Sequence, residues 1–553
     1  MAASLPLRDR LAALPVGDRR LLEAMVGLAL VALGPGLVMG ALFAMLRAGW
    51  LEAPLGTGYT WLTLHGVGVF FFWLYLAQGA LLLALAATAE GADGIAHRRL
   101  AAAGLGIVAL GLGLAWAAPL AGPALLYDAS PALAAEDRRA AGLAYAGYLV
   151  QAAGLALIAG AALASVPRAK RAQGGVWSTV AFGTAAWAGL LIVSVVAAVA
   201  TFLPAALWTL DMAPLPTEHT TRWHLLFHNL HYLPLLGTVL VWYVLVAELT
   251  GIRSALGERF SKLVFTSYLL LVPPTSLYHM FLEPGLAPGV RLLGSLLSLL
   301  IGVPTVAVFL IIVVSIETEL RARGARGPLG WLRALPWHEP TLHAMAAAVV
   351  NLALGGTLAF VLIQERLAPL LSDTFTVPAY FHFLTVGTVS LTALAALAHL
   401  LPGLRGRGVP APRLRAALPW LLTLGLLMFG LAGLAAGLTG MPRRVAAVAY
   451  GGAAPAAWTD LSAVIALGAV VMSAALLAYA LLVVLALLGV GGAAARPAVV
   501  EVAEAGWSAA ALQPAWSGPV AVAVLILAMA GATWLAVHLM AALPVSATAA
   551  GGS

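Results

Sequence analysis

The 553-residue sequence contains no cysteine. This absence excludes disulfide bonds, iron–sulfur clusters and thiolate metal sites. Any metal ion would therefore be held by histidine, carboxylate, tyrosine or methionine side chains. Because the chain has 12 histidines, these residues are the first candidates for metal or cofactor ligands.

Charged side chains are also scarce, since Asp, Glu, Lys and Arg together make up 9% of the residues. Hydrophobic residues make up 62%, and a water-soluble chain of this composition could not cover its surface. The composition therefore predicts an integral membrane protein. No linker or second soluble domain is evident, so we expect residues 1–553 to form a single transmembrane domain.

Apolar runs long enough to cross a bilayer occur thirteen times, given that a transmembrane helix needs about 20 apolar residues. The predicted fold is therefore all-α, a polytopic transmembrane helix bundle. The thirteen predicted spans are roughly residues 22–48, 58–88, 100–120, 141–166, 177–203, 223–248, 262–282, 290–316, 341–363, 376–402, 415–438, 458–490 and 517–543.

Basic residues are concentrated in the loops that follow even-numbered spans, as at Arg98–Arg99 and Arg405–Arg415. Basic loops lie in the cytoplasm, so these loops and the N-terminus are predicted to be cytoplasmic. Two arginine pairs, Arg138–Arg139 and Arg443–Arg444, lie on the predicted outer side. An arginine pair on that side calls for an explanation other than membrane orientation.

Two histidines lie at matching depth in different spans. His65 and His382 are about six or seven residues from the outer ends of the second and tenth spans, or ~10 Å deep at ~1.5 Å per residue. Such a pair could clamp the iron of a planar macrocycle, and ionisable residues inside spans are functional candidates. The alternative is that each imidazole is only hydrogen-bonded to a backbone carbonyl.

A denser group of imidazole and phenol side chains opens the sixth span. His224, His228 and Tyr232 are spaced four residues apart and are predicted to share one helix face. Tyr278 and His279 end the seventh span at a similar outer depth. Imidazoles from two neighbouring helices suit copper, iron or zinc. A polar cluster that lines a water-filled cavity is the alternative that the spacing leaves open.

These motifs resemble, in order and along nearly the whole chain, subunit I of the haem-copper oxidases, and specifically the B-type branch. Thr63–Gly66 and Val377–His382 resemble the motifs that carry the low-spin haem ligands, so the resemblance implies axial ligation by His65 and His382. The run His228–Tyr232 resembles a motif whose His binds copper and whose Tyr is cross-linked to it. The run Tyr278–Gly285 resembles the His-His pair that completes the copper site.

Two loops extend the resemblance. Gly330–Trp337 is nearly identical to a cytoplasmic loop of the B-type branch. Met441–Arg444 is similar to an outer loop whose arginines hold haem propionates, and this role explains why Arg443 and Arg444 lie on the outer side, since propionates need cationic donors.

The sequence departs from the family at the second, binuclear site. Tyr380 stands where the family has the high-spin haem ligand His, although Tyr can also ligate haem iron. Tyr278 replaces the first His of the copper-binding pair. The matched positions supply His228 and His279, and His224 is the nearest replacement for the third imidazole. Tyr232 and Tyr278 remain the candidate catalytic residues.

The proton route of the family is also altered. Thr305 follows the Val-Pro of the eighth span, but Val308 and Ile311 occupy the next helical steps. On the sixth span Tyr243 is present, whereas Val239 stands where a Tyr is expected. Aliphatic side chains cannot hold a water chain, so we predict no proton pumping through the sixth and eighth spans.

Three functions follow from the resemblance and remain open. The first is a terminal reductase that passes electrons through a low-spin haem b to a remodelled second haem with copper or iron, where O2 is reduced. The second is a nitric oxide reductase-like enzyme without proton pumping, and the third is a non-catalytic, single-haem electron-transfer or scaffold subunit.

The resemblance also implies partners and a location. The partners are a cupredoxin-like subunit II, small membrane subunits, the lipid bilayer, and cytochrome c, a cupredoxin or a quinol as electron donor, with no nucleic acid. The location is a prokaryotic cytoplasmic membrane, with the haem sites near its outer face.

Overall fold

The computed structural model describes residues 6–122, 125–131, 135, 137–174, 176–252, 254, 257–276, 287–364, 367–492 and 515–542. Regular structure in these ranges is mainly helical, and an isolated antiparallel bridge joins Thr374 and Pro442. Long apolar runs form helices because a helix satisfies every backbone donor and acceptor within its own segment, as a bilayer requires.

Twelve of the described helices are long and apolar enough to cross a membrane. They are Val16–Arg47, Leu55–Ala87, Arg98–Ala121, Arg138–Gln173, Thr179–Thr209, His219–Thr250, Pro288–Ala322, Pro340–Leu362, Thr376–Arg405, Pro412–Leu438, Ala457–Leu487 and Ser517–Ala536. The last of these helices continues to Ala542. The predicted all-α transmembrane bundle is therefore confirmed.

The seventh predicted span corresponds to the helix Gly257–Thr275. This helix is less apolar than the other twelve because Glu258, Arg259 and Lys262 lie in its first two turns. The rest of the predicted span lies outside the described residues. A helix is thus present at each of the thirteen predicted positions, and we number the spans one to thirteen in chain order.

Many helices extend beyond the apolar runs. The fourth span, predicted at 141–166, runs from Arg138 to Gln173, because its polar ends continue the helix past the hydrocarbon layer. Short helices that the apolar pattern does not predict occur at Leu7–Ala12, Gly330–Arg333 and Ala368–Leu371, with a 3₁₀ turn at Tyr450–Gly452.

The second span lies at the centre of the bundle. In its most apolar 18-residue stretch 94% of the residues are buried, compared with 6% in the last span. The Trp73 indole donates to Ser390 Oγ (3.0 Å), and the Gln78 amide donates to the Pro234 carbonyl (3.0 Å). These hydrogen bonds connect the second span to the tenth and sixth spans, which carry the other predicted site residues.

Two spans change from α-helix to π-helix directly after a predicted haem ligand. The π-helical segments are Gly66–Trp73, which follows His65, and Phe383–Ser390, which follows His382. π-Helical turns are rare and are frequent at functional sites. Because each turn takes in extra residues, the side chains beyond it are rotated relative to those before it.

Candidate functional site

A cavity of about 680 Å³ lies between the first, second, sixth, tenth, eleventh and twelfth spans. This volume is within the range of about 300–1,000 Å³ that is typical of small-molecule and cofactor sites. The predicted residues that line it are His65, His224, Tyr380, His382, Arg443 and Arg444. The structure therefore brings together residues from four distant parts of the sequence.

The imidazole rings of His65 and His382 are nearly parallel. Their centroids are 6.2 Å apart and the angle between their planes is 3°. An imidazole nitrogen binds a first-row metal at about 2.0–2.1 Å, so two imidazoles on opposite sides of one metal have centroids roughly 6 Å apart. The observed separation therefore fits a single iron held between the two rings.

Backbone carbonyls orient both rings. The Nδ1 atom of His65 lies 2.9 Å from the Gly36 oxygen, and Nδ1 of His382 lies 2.7 Å from the Pro378 oxygen. Because a carbonyl can only accept a hydrogen bond, each Nδ1 carries the proton and each Nε2 keeps its lone pair. This is the arrangement in which histidine ligates a metal. A histidine that is hydrogen-bonded to a backbone carbonyl through Nδ1 can therefore still ligate a metal through Nε2.

Close approach of the first span to His65 depends on a glycine. A Cβ atom added at Gly40 would lie 2.4 Å from Nδ1 of His65. The sequence alone did not identify Gly36 or Gly40, because neither belongs to a recognisable motif. The only available signal was that both glycines lie inside an otherwise apolar helix, where glycine usually marks close packing.

The predicted propionate-binding arginines line the cavity, and each is paired with an aspartate. Arg443 Nη2 lies 2.9 Å from Asp373 Oδ1, and Arg444 Nη1 lies 2.7 Å from Asp128 Oδ2. Arg444 has a φ of 62°, a left-handed conformation that is uncommon for a residue with a side chain. The structure therefore holds this guanidinium in place at the cost of some backbone strain.

Arg444 remains cationic at its position. Burial by itself lowers the pKa of its guanidinium, but Tyr127, Asp128 and Asp373 outweigh burial, and the pKa is raised above its usual value. The Arg444 guanidinium also lies 5.2 Å from the centroid of the Tyr127 ring. This loop residue thus presents a permanent positive charge to the cavity.

A third arginine, which the sequence did not single out, lines the same cavity. The Arg47 guanidinium lies 4.7 Å from the centroid of the Phe375 ring, and its Nη2 lies 3.4 Å from the Pro442 oxygen. The charged side chains among the described cavity residues are three arginines and two aspartates, so one positive charge is in excess. This excess favours an anionic group at the end of the cavity where the arginines lie.

The cavity divides the predicted histidine cluster of the sixth span. His224 lines the cavity together with His231, whose ring centroid lies 4.1 Å from that of Phe227 and 4.6 Å from that of Phe381. His228 and Tyr232 are outside this lining, with ring centroids 4.8 Å apart. The structure thus places His228 beside Tyr232, as their spacing predicts, and turns His224 toward the cavity.

The second predicted site is described only in part. Tyr380 lines the cavity, whereas Tyr278 and His279 lie outside the described residues. Among the residues that the structure does describe, no group of three or more His, Asp or Glu side chains could hold a metal ion. Copper or iron ligation by His228, His279 and His224 therefore stays a prediction.

The residues of the first site fit a haem. Two parallel imidazoles supply axial nitrogens, apolar side chains such as Phe429 and Leu476 line the cavity, and Arg443 and Arg444 offer donors for two propionates at one end. The Phe429 ring centroid lies 4.6 Å from that of His382, so the phenyl ring packs against this imidazole.

The chain matches a known protein family. Residues 20–471 match the protein family described as Cytochrome C and Quinol oxidase polypeptide I. Over 219 residues the chain is 32% identical to a cytochrome c oxidase subunit 1 of Thermus thermophilus, a match that covers 39% of either chain. The matched region therefore spans about two-fifths of that relative.

Two further similarities extend this result. A second cytochrome c oxidase subunit 1 sequence from Thermus thermophilus is 33% identical over 99 residues, which are 18% of this chain and 92% of that sequence. A solved heme-copper terminal oxidase dimer has a similar fold, with a TM-score of 0.78, 20% identity, and coverage of 94% of this chain and 92% of that chain.

Proposed function

Because the chain belongs to the cytochrome c and quinol oxidase polypeptide I family, we propose that it passes electrons through a bis-histidine low-spin haem b to a second haem and metal centre that reduces O2. Family membership makes the protein a cytochrome c oxidase-like membrane oxidoreductase. The observation that carries the finer proposal is the 6.2 Å separation of the parallel His65 and His382 rings.

In this proposal the imidazoles of His65 and His382 would both hold the haem. One-electron exchange at iron is the chemistry that the haem supplies when bound. Arg443 and Arg444 fix the orientation of the macrocycle through charge-assisted hydrogen bonds to its propionates. The site around these four residues therefore serves electron transfer.

Gas reduction is assigned to the second centre. Tyr380 is two residues from His382, or roughly 200° around the helix, so it serves a different haem from His382. We assign Tyr380 as the ligand of that haem, and His228, His279 and His224 as ligands of copper or iron, with Tyr232 and Tyr278 as the catalytic residues beside them. An anionic phenolate at Tyr380 would stabilise ferric iron, so turnover would be slow.

The proposal extends to partners and location. The relatives are named as subunit 1, which supports a complex with a cupredoxin-like subunit II and small membrane subunits. Cytochrome c, a cupredoxin or a quinol would donate electrons. The integral membrane chain would lie in a prokaryotic cytoplasmic membrane with a cytoplasmic N-terminus and with its haem sites near the outer face, as the basic loops indicate.

Haem and metal analysis of the purified protein tests this function. We expect two haems and one copper or iron per chain, together with O2 consumption when an electron donor is supplied. One haem, no metal and no O2 consumption would contradict the proposal. Consumption of nitric oxide in place of O2 would identify a nitric oxide reductase-like enzyme instead.

A non-catalytic electron-transfer or scaffold subunit is the second candidate function. The observation that favours it is the pair of tyrosines, Tyr278 and Tyr380, at two positions where the resembling family has histidine ligands. In that case the haem at His65 and His382 would be present in full, and no second haem would be found.

A further inference from the structure

Only two of the 29 basic residues of the chain are lysines, Lys170 and Lys262. Lys170 lies near the C-terminal end of the fourth span, and Lys262 lies in the second turn of the seventh span. Although the two residues are far apart in the chain, both line one recess on the surface of the structure. The fold therefore collects both lysines at a single place.

The rest of the recess wall is apolar. Val176, Trp177 and Phe182 complete the described lining, which contains no acidic side chain. The Trp177 and Phe182 rings pack edge to face, with their centroids 6.4 Å apart. Val176 is 81% exposed, so the chain itself does not cover this wall. The recess thus combines two positive charges with open apolar surface.

The recess lies at the predicted cytoplasmic boundary of the bilayer. The apolar run of the fourth span is predicted to end near residue 166, and those of the fifth and seventh spans to begin near residues 177 and 262. Tryptophan is typical of this boundary, and the long side chain of lysine reaches from it to the head groups. Because the cytoplasmic leaflet contains anionic lipids, phosphate groups of negative net charge are present at this depth.

Each lysine has a protein partner that occupies only part of its ammonium group. Nζ of Lys170 donates to the Gly174 carbonyl at 2.8 Å, and Nζ of Lys262 lies 3.1 Å from Glu258 Oε2. An ammonium group has three N–H donors, so each lysine can donate to a further acceptor. Glu258 competes for Lys262, but its side chain is 58% exposed, and ion pairs at exposed positions are weak.

An apolar strip continues from the recess along the seventh span. Leu263 and Leu270 are 62% and 66% exposed. They are seven residues apart, which is nearly two helical turns, so they lie on one face of the helix. The strip begins directly after Lys262 and is left open to the bilayer. A lipid with its phosphate at Lys262 could therefore lay an acyl chain along it.

We propose that the recess binds one anionic phospholipid, with its phosphate between Lys170 and Lys262 and an acyl chain along Leu263 and Leu270. A lipid fits better than a soluble anion because the cationic pair adjoins exposed apolar surface at the membrane boundary. An anionic head group fits better than a zwitterionic one, because choline would bring a third positive charge to the two lysines. The recess shares no lining residue with the haem cavity, so the inference does not depend on the proposed function.

Chemical labelling of the lysines tests the site in the unchanged protein. The full chain in a neutral detergent is treated with an amine-reactive reagent, and mass spectrometry of its peptides follows Lys170 and Lys262 separately. Dioleoyl phosphatidylglycerol is compared with dioleoyl phosphatidylcholine. We expect phosphatidylglycerol to slow labelling of both lysines at least about fivefold, because only the lipid-free recess reacts, and phosphatidylcholine to have no effect. Equal labelling in the two lipids would overturn the proposal.

Native mass spectrometry with the same two lipids measures the affinity. Lys170→Gln combined with Lys262→Gln removes both charges. Arg99→Gln combined with Arg413→Gln is the matched control, since both arginines are exposed residues of the predicted cytoplasmic side. One basic side chain near an anionic head group is worth roughly fivefold in affinity, so the lysine variant should bind phosphatidylglycerol at least about tenfold more weakly. The control should keep the parent affinity, and an equal loss in both variants would contradict the site.

Two further variants separate loss of charge from damage to the fold. Glu258→Gln removes the competing acid, so it should strengthen binding of phosphatidylglycerol. Lys170→Arg combined with Lys262→Arg keeps both charges and should bind more tightly than the glutamine variant. Weaker binding by Glu258→Gln, or equal binding by the arginine and glutamine variants, would count against the proposal.

Glycerol 3-phosphate distinguishes a lipid from a soluble anion. This compound carries the phosphate of the head group without acyl chains, and the burial of apolar surface that we expect along Leu263 and Leu270 is therefore lost. It should leave the labelling of both lysines unchanged at the concentration at which phosphatidylglycerol protects them. Equal protection by glycerol 3-phosphate would overturn the lipid in favour of a soluble phosphate compound.

Discussion

The two ring nitrogens of His65 and His382 have different partners, and this division decides what the residues can do. Each Nδ1 is bonded to a carbonyl, of Gly36 in one case and Pro378 in the other, which leaves the lone pair of each Nε2 for a metal. The parallel rings, with centroids 6.2 Å apart, have the separation that ligation of one metal by both imidazoles requires. A single histidine satisfied by a carbonyl would have no such counterpart.

Replacement of either axial histidine should remove the low-spin haem. We expect His65→Ala or His382→Ala to abolish the low-spin optical spectrum, because iron with one imidazole is no longer held in a bis-histidine site. The measurement is the visible spectrum of the dithionite-reduced protein. His399→Ala, which changes another histidine of the tenth span, is the control and should leave the spectrum intact. An unchanged spectrum in His65→Ala would refute the assignment.

Arg443 and Arg444 should control how tightly the haem is held. Loss of a hydrogen bond from a charged donor costs about 1.5–3 kcal/mol, so Arg444→Gln should weaken haem retention by roughly 10- to 100-fold. Transfer of haem to a haem-binding acceptor protein measures this retention. The control is Arg139→Gln, since Arg139 is an exposed arginine of the predicted outer side. Equal haem loss from both variants would argue against a role in propionate binding.

The packing of the first span against His65 constrains which residues the site can accept. The first span can approach His65 only because Gly40 has no side chain. A methyl group there would lie 2.4 Å from the imidazole, which is less than any normal contact. The second span has no room to retreat, since it is buried at the centre of the bundle.

Gly40→Ala should therefore disturb the site from the neighbouring helix. Overpacking of this kind typically costs about 1–3 kcal/mol, and here it should shift or remove the low-spin spectrum as the imidazole is displaced. Gly34→Ala in the same helix is a matched control, because a Cβ atom at Gly34 meets nothing within 4 Å. Identical spectra and thermal stability of the two variants would show that the close contact has no consequence.

The last span is attached through a buried carboxylate. Glu317, with a side chain that is 0% exposed, accepts hydrogen bonds from the backbone N–H groups of Ser517 (3.0 Å) and Gly518 (2.6 Å) and pairs with Arg321 at 2.7 Å. The first N–H groups of a helix have no partner within the helix, so Glu317 satisfies them from the eighth span.

Loss of this carboxylate should release the last span. Glu317→Ala leaves buried donors unpaired, at a cost of about 1–3 kcal/mol for each. We expect faster proteolysis in the segment before Ser517 while the haem spectrum remains unchanged. Glu319→Ala is the control, because Glu319 is partly exposed and pairs only with Arg323 of the same helix. Equal proteolysis of the two variants would contradict this role of Glu317.

At the scale of the whole molecule, the proposed function combines an intact first site with an altered second site in one bundle. The His65 and His382 rings satisfy the geometry of a bis-histidine haem. Tyr380, on the wall of the same cavity, stands where the resembling family has a neutral imidazole, and in the proposed function its phenol would bind iron as an anion. The two centres should therefore differ sharply in their affinity for gases.

Carbon monoxide should bind poorly to the dithionite-reduced protein, because a ferric-favouring phenolate ligand opposes the ferrous state that binds CO. We expect a weak or absent CO difference spectrum and slow O2 consumption. Tyr380→His together with Tyr278→His should create CO binding. A full high-spin CO spectrum with rapid O2 consumption in the unchanged protein would contradict this expectation, and so would a double variant that gains no CO binding.

The sequence by itself determined the membrane class and the positions of the thirteen helices. These properties follow from apolar runs and from the constant rise of a helix, which are local and one-dimensional. The family-like motifs at Met441–Arg444 and Val377–His382 also identified the residues of the cavity wall. These conclusions could be drawn from the sequence because each of them depends only on residues that are close together in the chain.

Only the tertiary structure decided which groups meet across helices. The parallel orientation of the imidazoles, the approach of Gly40, the cavity contact of Arg47 and the bond between Tyr268 and Thr305 join residues that are between 25 and more than 300 positions apart. The π-helical turns after His65 and His382 rotate the chain in a way that no α-helical periodicity predicts. These features depend on how helices pack, and packing distances are not encoded in the spacing of residues along one chain.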